Sequence, residues 1–156
     1  MKRIIAALVL SCIAAASVSA IELKNGRIKL VLDERTGHFA LYYLVDVTKN
    51  QYRALLYDQE TRTTFPTLYL DQKTYKLGDA SEFKVSASAR GPLNYVIEYR
   101  SATCVVRQIF GFSASAGSPM SDGLKISFEI ENISERDIVV GLRYLFDTWL
   151  GEKSGN

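Results

Sequence analysis

Apolar and polar residues alternate along most of the chain after residue 20. The stretch 27–33 sets Ile28, Leu30 and Leu32 on one side of an extended chain. Residues 124–131 alternate more regularly still, with apolar side chains at the even positions and polar or charged ones at the odd positions. A period of two places such sets on opposite faces of a strand. The pattern therefore predicts β-strands with one face turned towards a core.

Further segments rich in β-branched and aromatic residues extend this prediction. They are 38–44, 51–58, 63–71, 82–89, 94–100, 102–112 and 138–150. Residues 33–37, DERTG, carry the aspartate and late glycine of a short hairpin loop. A turn near 45–54 is the only candidate helical element. We therefore predict an all-β, antiparallel β-sandwich that forms a single domain over residues 21–156.

Three residues within these segments have individual expectations. Pro66 cannot donate a hydrogen bond to a ladder, so its strand is expected at a sheet edge or at a bulge. His38 follows a turn on the face opposite Phe39 and is expected to be exposed. Cys104, in an apolar run, is expected to be buried as a small hydrophobic residue.

The first twenty residues have the pattern of a secretory signal peptide. Lys2 and Arg3 precede an apolar run, and Val18-Ser19-Ala20 fits a small-x-small cleavage site. The apolar run is short for a membrane span, and no spanning segment is predicted after cleavage. We therefore expect a periplasmic or secreted protein. As an alternative, the sequence around Cys12 resembles the end of a bacterial lipoprotein signal, which predicts a lipid anchor at Cys12.

Charge and cysteine content change once this segment is set aside. Removing Lys2 and Arg3 from the 19 basic residues leaves 17, equal to the 17 acidic residues. A balanced charge does not favour a nucleic-acid partner. Cys104 is then the only cysteine, so no disulfide can form within the mature chain.

The inventory of catalytic groups is small. His38 is the only histidine, and no nucleophile motif accompanies it. The chain has no Cys/His cluster for zinc, no calcium loop and no glycine-rich phosphate loop. No metal or cofactor is therefore predicted. A pair of carboxylates could serve glycoside hydrolysis, and the candidates are Asp46, Asp58, Asp71, Asp79 and Asp147.

The segment GLRYLFDTWL at 141–150 is the most site-like part of the sequence. Period two places Arg143, Asp147 and Trp149 on one face of a strand, and it leaves Leu142, Tyr144, Phe146 and Thr148 as core candidates. A cation, an anion and an indole together suit the recognition of a polar ring such as a sugar. We therefore predict a carbohydrate-binding site at these three residues.

Two segments carry a resemblance to known proteins. ELKNGRIKLVLDERTGHFALYYL, with its D-x-x-T-G turn, resembles the opening strands of galactose-mutarotase-like β-sandwiches, found in sugar epimerases and glycoside hydrolases. ISFEIENISERDIVVGLRYLFDTWLGE is similar to a strand pair of uncharacterised bacterial envelope proteins; Gly141, Leu142, Arg143, Asp147, Thr148, Leu150 and Gly151 fill the shared pattern. The resemblance implies a sandwich fold, and the histidines and acid that mutarotases use have no recognisable counterparts.

These observations lead to two functional hypotheses. The first is an exported envelope protein without catalytic activity, which has a structural or ligand-binding role and carbohydrate as its expected ligand. The second is a truncated or degenerate carbohydrate-active enzyme. Sandwiches of this kind usually continue beyond such a strand, so one expectation is that residues 21–156 are the N-terminal part of a larger domain. The alternative is a smaller, complete sandwich whose final strand lies at a protected position.

Overall fold

The structure, a computed structural model, describes residues 20–149 as strands, turns and one short 3-10 helix at Thr61–Thr63. The strands in this part of the chain are β1 (Ala20–Asn25), β2 (Ile28–Asp33), β3 (Phe39–Asp46), β4 (Gln51–Ala54), β5 (Phe65–Leu70), β6 (Lys73–Lys76), β7 (Lys84–Ala89), β8 (Asn94–Arg100), β9 (Cys104–Ser113), β10 (Gly123–Asn132) and β11 (Val140–Leu145).

The strands form three antiparallel sheets. The first sheet has the order β1-β2-β3-β4, the second β10-β9-β8-β7 and the third β11-β5-β6. All pairs between named strands are antiparallel. The predicted all-β, sandwich-like fold is confirmed. No helix within residues 20–149 is long and apolar enough to cross a membrane.

The DERTG segment forms the predicted hairpin between β2 and β3. The amide of Gly37 donates to the carbonyl of Asp33 (2.7 Å), and the amide of Asp33 donates to the carbonyl of His38 (2.9 Å). Gly37 has φ +77°, and a Cβ at this position would collide with the hydroxyl of Tyr99. Only glycine allows both this backbone conformation and the close approach of β8.

The core lies where the three sheets meet. Phe39 of the first sheet packs edge-on against Phe110 of the second, with ring centroids 5.1 Å apart. Leu68 of the third sheet and Leu30 of the first are fully buried in the same cluster. The predicted burial of Cys104 is confirmed, because its side chain is completely enclosed. One continuous apolar core therefore joins all three sheets.

A buried polar chain crosses this core. The hydroxyl of Tyr99 donates to Oε1 of Gln108 (3.0 Å), and Nε2 of Gln108 donates to the hydroxyl of Tyr144 (2.9 Å). Burial raises the pKa of Tyr99 and that of Tyr144 well above the ordinary tyrosine value, so both hydroxyls stay protonated. These side-chain hydrogen bonds link β8 and β9 of the second sheet to β11 of the third.

The core is open on one side, which we call the open flank and define by Phe128, Tyr144 and Phe146. The rings of Tyr144 and Phe146 stack with centroids 4.3 Å apart, and Phe128 lies 5.8 Å from Tyr144. Phe146 is 48% exposed. The open flank lies where β10 and β11, the edge strands of two sheets, come together.

The structure corrects several details of the strand predictions. β1 and β6 were not predicted, and residues 47–50 form a turn followed by strand β4. Pro66 is in the middle strand of the third sheet, so the expectation of an edge strand is wrong. The β5–β6 pairing begins at Thr67, and the carbonyl of Pro66 accepts from the amide of Leu77 (3.0 Å). Pro66 thus lies where the ladder ends, and its missing donor is tolerated there.

Candidate ligand-binding site

The segment that follows β11 leaves the third sheet and joins the first. The amide of Tyr57 donates to the carbonyl of Asp147, and the amide of Trp149 donates to the carbonyl of Leu55, each over 2.9 Å. Leu56 and Thr148 form an isolated antiparallel bridge between these bonds. Residues 147–149 therefore run beside residues 55–57 as a short added strand.

This pairing brings two aromatic rings together at the surface. The rings of Tyr57 and Trp149 have centroids 6.0 Å apart and an angle of 33° between their planes. Trp149 is 37% exposed and Tyr57 is half-buried. Rings held in this way present an apolar surface together with polar NH and OH groups. We call Tyr57 and Trp149 the aromatic pair.

Asp147 lies next to the aromatic pair, whereas Arg143 belongs to a different sheet. The amide of Asp147 donates to Oγ1 of Thr64 (3.0 Å), which fixes the backbone before the bridge. Arg143 is exposed on β11, where it pairs with Thr67 of β5. No hydrogen bond or ion pair joins Arg143 to Asp147 within the described residues. The structure brings Asp147 and Trp149 to Tyr57, and the joint role of the three predicted residues stays a prediction.

The predicted single strand over 138–150 is wrong beyond Leu145, where β11 ends. The prediction that the even-numbered residues of this segment face the core is also wrong, because Leu142 is 37% exposed and Phe146 is exposed as well. Only Tyr144 of that face packs into the core. A change of sheet at Phe146 breaks the period of two, and a local pattern cannot reveal such a change.

A second group of aromatic residues on the first sheet was missed by the sequence reasoning. Nζ of Lys29 lies 4.2 Å from the ring centroid of Tyr42 and 4.8 Å from that of Tyr52. Burial and a hydrogen bond to Asp58 raise the pKa of Tyr42 above its ordinary value. Asp58 follows Tyr57 directly, so it connects this group to the aromatic pair. The available signal was the β2–β3 alternation, which places Lys29 and Tyr42 on one face.

His38 is buried, and the expectation that it is exposed is wrong. Its Nε2 lies 3.1 Å from Oδ1 of Asp79, whose Oδ2 lies 2.9 Å from Nζ of Lys76. Gly78 has φ +94°, and its bare Cα lets the chain pass over Nε2 of His38 and the carbonyl of Thr36. The histidine therefore links the β2–β3 hairpin to the turn after β6, a structural arrangement.

An open groove of about 430 Å³ lies on the outer face of the second sheet. NH1 of Arg90 reaches Oε1 of Glu129 across it (3.0 Å), and Nε of Arg107 donates to Oε2 of Glu98 (2.9 Å). These four side chains pair with one another. A charged ligand would have to break such pairs before it could bind, so the groove is a poorer candidate than the aromatic pair.

Other carboxylates named as candidates for catalysis are bound by groups of the protein itself. Asp71 accepts from NH2 of Arg136 and from the amide of Val139, and these bonds hold the pKa of its carboxyl below the ordinary value. Asp46 accepts from the amide of Lys49. No group of three His, Cys, Asp or Glu residues in the part of the chain that the structure describes could hold a metal ion. The predicted signal peptide and Cys12 lie outside the described residues.

Comparison with known proteins adds no relative. No family model matches the chain, and no curated protein or solved structure is significantly similar to it. The resemblance to galactose-mutarotase-like sandwiches therefore stays a prediction.

Proposed function

We propose that the chain is an exported, non-catalytic β-sandwich protein of the cell envelope that binds carbohydrate at the aromatic pair. The observation that carries this proposal is the surface position of Tyr57 and Trp149, held side by side by the bridge between residues 55–57 and 147–149. Because backbone hydrogen bonds hold the two residues side by side before any ligand arrives, binding would require little ordering of the backbone at the site.

The chemistry around the pair supports a polar ring as the ligand. A pyranose has apolar C–H faces that could lie on the indole and phenol rings, and hydroxyl groups around its rim. The Asp147 side chain is half-buried beside the pair and can accept hydrogen bonds from such hydroxyls. Few polar groups close to a larger apolar surface are typical of small-molecule sites.

The export part of the proposal depends on residues 1–20. A cleaved product beginning at Ile21 would support a periplasmic or secreted protein, and its intact mass would reveal it. A heavier product, with lipid attached at Cys12, would favour the alternative of a membrane-anchored form. Retention of residues 1–20 on a cytoplasmic product would overturn the export proposal.

Trp149 provides the direct test of binding, because it is the only tryptophan in the chain. We expect its fluorescence to change, with saturation, when oligosaccharides from bacterial envelopes are titrated into the protein. Tyr57→Ala should weaken the binding about tenfold, since loss of one stacking partner costs about 0.5–1.5 kcal/mol beyond buried area. Phe146→Ala is the matched control, because Phe146 is exposed nearby but stacks on Tyr144.

Two outcomes would contradict the proposal. One is the absence of saturable binding across the oligosaccharides, checked by calorimetry as well as fluorescence. The other is binding that Tyr57→Ala and Phe146→Ala weaken equally. Release of new reducing ends during the titration would instead favour the alternative of a carbohydrate-active enzyme.

A further inference from the structure

Strand β10 is a long and regular edge strand. It has ten residues, contains no proline and pairs with β9 in continuous register from Gly123 to Asn132. Its other edge pairs with no strand among residues 20–149. Natural edge strands are usually short, bulged or interrupted, because an open ladder recruits another strand. The opposite edge of the same sheet, β7, is shorter, with six residues.

The hydrogen-bonding pattern identifies which groups of β10 are free. The amide of Ile133, just after the strand, donates to the carbonyl of Thr103 (3.0 Å), so odd-numbered residues face β9. Backbone groups alternate between the two edges of an antiparallel strand. The even-numbered residues therefore present their N–H and C=O groups to the open edge. These residues are Leu124, Ile126, Phe128 and Ile130.

The same four side chains turn towards the core but are only half-buried. On the neighbouring strand β9, the core-facing Val106 and Phe110 are at most 1% exposed. The difference arises because, among the residues that the structure describes, β10 has a neighbouring strand on one side only. A further strand beside β10 would cover apolar surface and satisfy the free backbone groups together.

We propose that β10 pairs antiparallel with β10 of a second copy of this chain, centred on Ser127, so that the two four-stranded sheets become one. This register sets Lys125 opposite Glu129 of the second copy on the outer face. On the inner face it sets Leu124 opposite Ile130 and Ile126 opposite Phe128. Each pair occurs twice, because the interface has two-fold symmetry.

Charge complementarity on the outer face and apolar pairing on the inner face together select this register. Lys125 is exposed and has no ion pair within the described residues, while Glu129 uses Oε1 for Arg90 and keeps Oε2 as an acceptor. A shift by one residue would place apolar side chains opposite charged ones. A shift by two residues would set Lys125 opposite Glu131, whose Oε2 already accepts from Arg107 (2.9 Å), but it would oppose the apolar Leu124 to Asn132 and leave Glu129 facing Ser127. The edge of β11 offers no such match, since Arg143 is its only charged residue.

Ser127 allows a direct test. The even-numbered residues form the hydrogen-bonded pairs, so the two Ser127 residues form a non-hydrogen-bonded pair, with a Cα separation of about 4.5 Å. That separation lies within the disulfide range. Ser127→Cys, in the full chain carrying Cys12→Ser, should therefore oxidise to a covalent dimer of twice the mass. Ser88→Cys, on the opposite edge strand β7, is the matched control and should stay monomeric on a non-reducing gel.

A charge exchange gives an independent measurement. Lys125→Glu places like charges opposite each other twice, so it should weaken self-association at least tenfold in sedimentation equilibrium. Lys125→Glu combined with Glu129→Lys should restore it. Circular dichroism confirms that each variant is folded. A monomeric native chain, equal cross-linking of the two cysteine variants, or no recovery in the double variant would overturn the proposal.

Discussion

Two aromatic clusters of the core differ in what covers them. Phe39 and Phe110 are at most 1% exposed, because strands of two sheets enclose them. In the open flank, Tyr144 and Phe146 stack more closely, yet Phe146 is 48% exposed. Contact between two rings is therefore not sufficient to shield an aromatic residue from solvent. What decides its contribution to stability is whether another element lies over it.

The largest expected effect separates these two clusters. Phe110→Ala should lower the free energy of unfolding by about 3–5 kcal/mol, because it removes a buried ring and leaves a cavity. Phe146→Ala removes a ring that is already half in water, so its cost should be about 1 kcal/mol. Urea denaturation measures both changes. Equal losses of unfolding free energy in the two variants would contradict the distinction between the buried aromatic cluster and the open flank.

Gln108 connects the sealed core to the open flank, and its removal should have the next largest effect. Gln108→Leu leaves the buried hydroxyls of Tyr99 and Tyr144 without this partner, at a cost of about 1–3 kcal/mol. Tyr144→Phe should cost less, since it leaves only one buried group, Nε2 of Gln108, without its partner. A double-mutant cycle tests the connection: additive losses would mean that Gln108 and Tyr144 do not act on each other.

Alkaline titration tests how well the polar chain is enclosed. Burial raises the pKa of Tyr99 and Tyr144, and burial together with Glu34 raises that of Tyr95 to about 12. Because these folded-state values exceed the unfolded value of about 10, the corresponding stability is complete below that pH and is lost as the pH rises through the folded-state values. Tyrosinate absorbance of these residues should appear together with loss of circular dichroism. Its appearance in the folded protein would contradict their enclosure.

The smallest expected effect is a change in the stability of the protein at low pH. Burial raises the pKa of Asp79, but hydrogen bonds from Lys76 and His38 outweigh it and hold the pKa below the ordinary value. The stability from this depressed pKa is present above about pH 3.9, the unfolded value, and is lost as the pH falls through the folded-state value. Asp79→Asn should flatten stability against pH below pH 5, measured by urea denaturation, whereas the exposed Asp137→Asn should not. An unchanged slope in Asp79→Asn would show that the pair with His38 carries no stability.

The local pattern was sufficient for most strands and for the hairpins that join them. β2, β4, β5, β7, β8 and β11 fall within the predicted segments, and β3, β9 and β10 extend past theirs by one or two residues. Alternation and turn residues act over a few neighbouring positions, so a local pattern is enough to locate such strands. β6 was missed because KTYK is short and offers little alternation. β1 was missed because it begins at Ala20, the residue before the predicted cleavage site.

The candidate site shows where the pattern stops being informative. Trp149 and Asp147 were found from their chemistry, but Tyr57 was not, because its contact with Trp149 joins residues 92 positions apart in the chain. His38 was expected to be exposed, since nothing near it in sequence indicates that Asp79 and Gly78 cover it. Both outcomes depend on pairs that only the folded chain brings together.

The sequence by itself determined the all-β class, the position of most strands and the face of β10 that turns inward. Only the tertiary structure decided that residues 147–149 leave one sheet for another, that His38 is enclosed and that no strand among residues 20–149 covers the outer edge of β10. The physical reason is that a side chain's direction is set by its own backbone, whereas its burial is set by whichever distant strand lies over it.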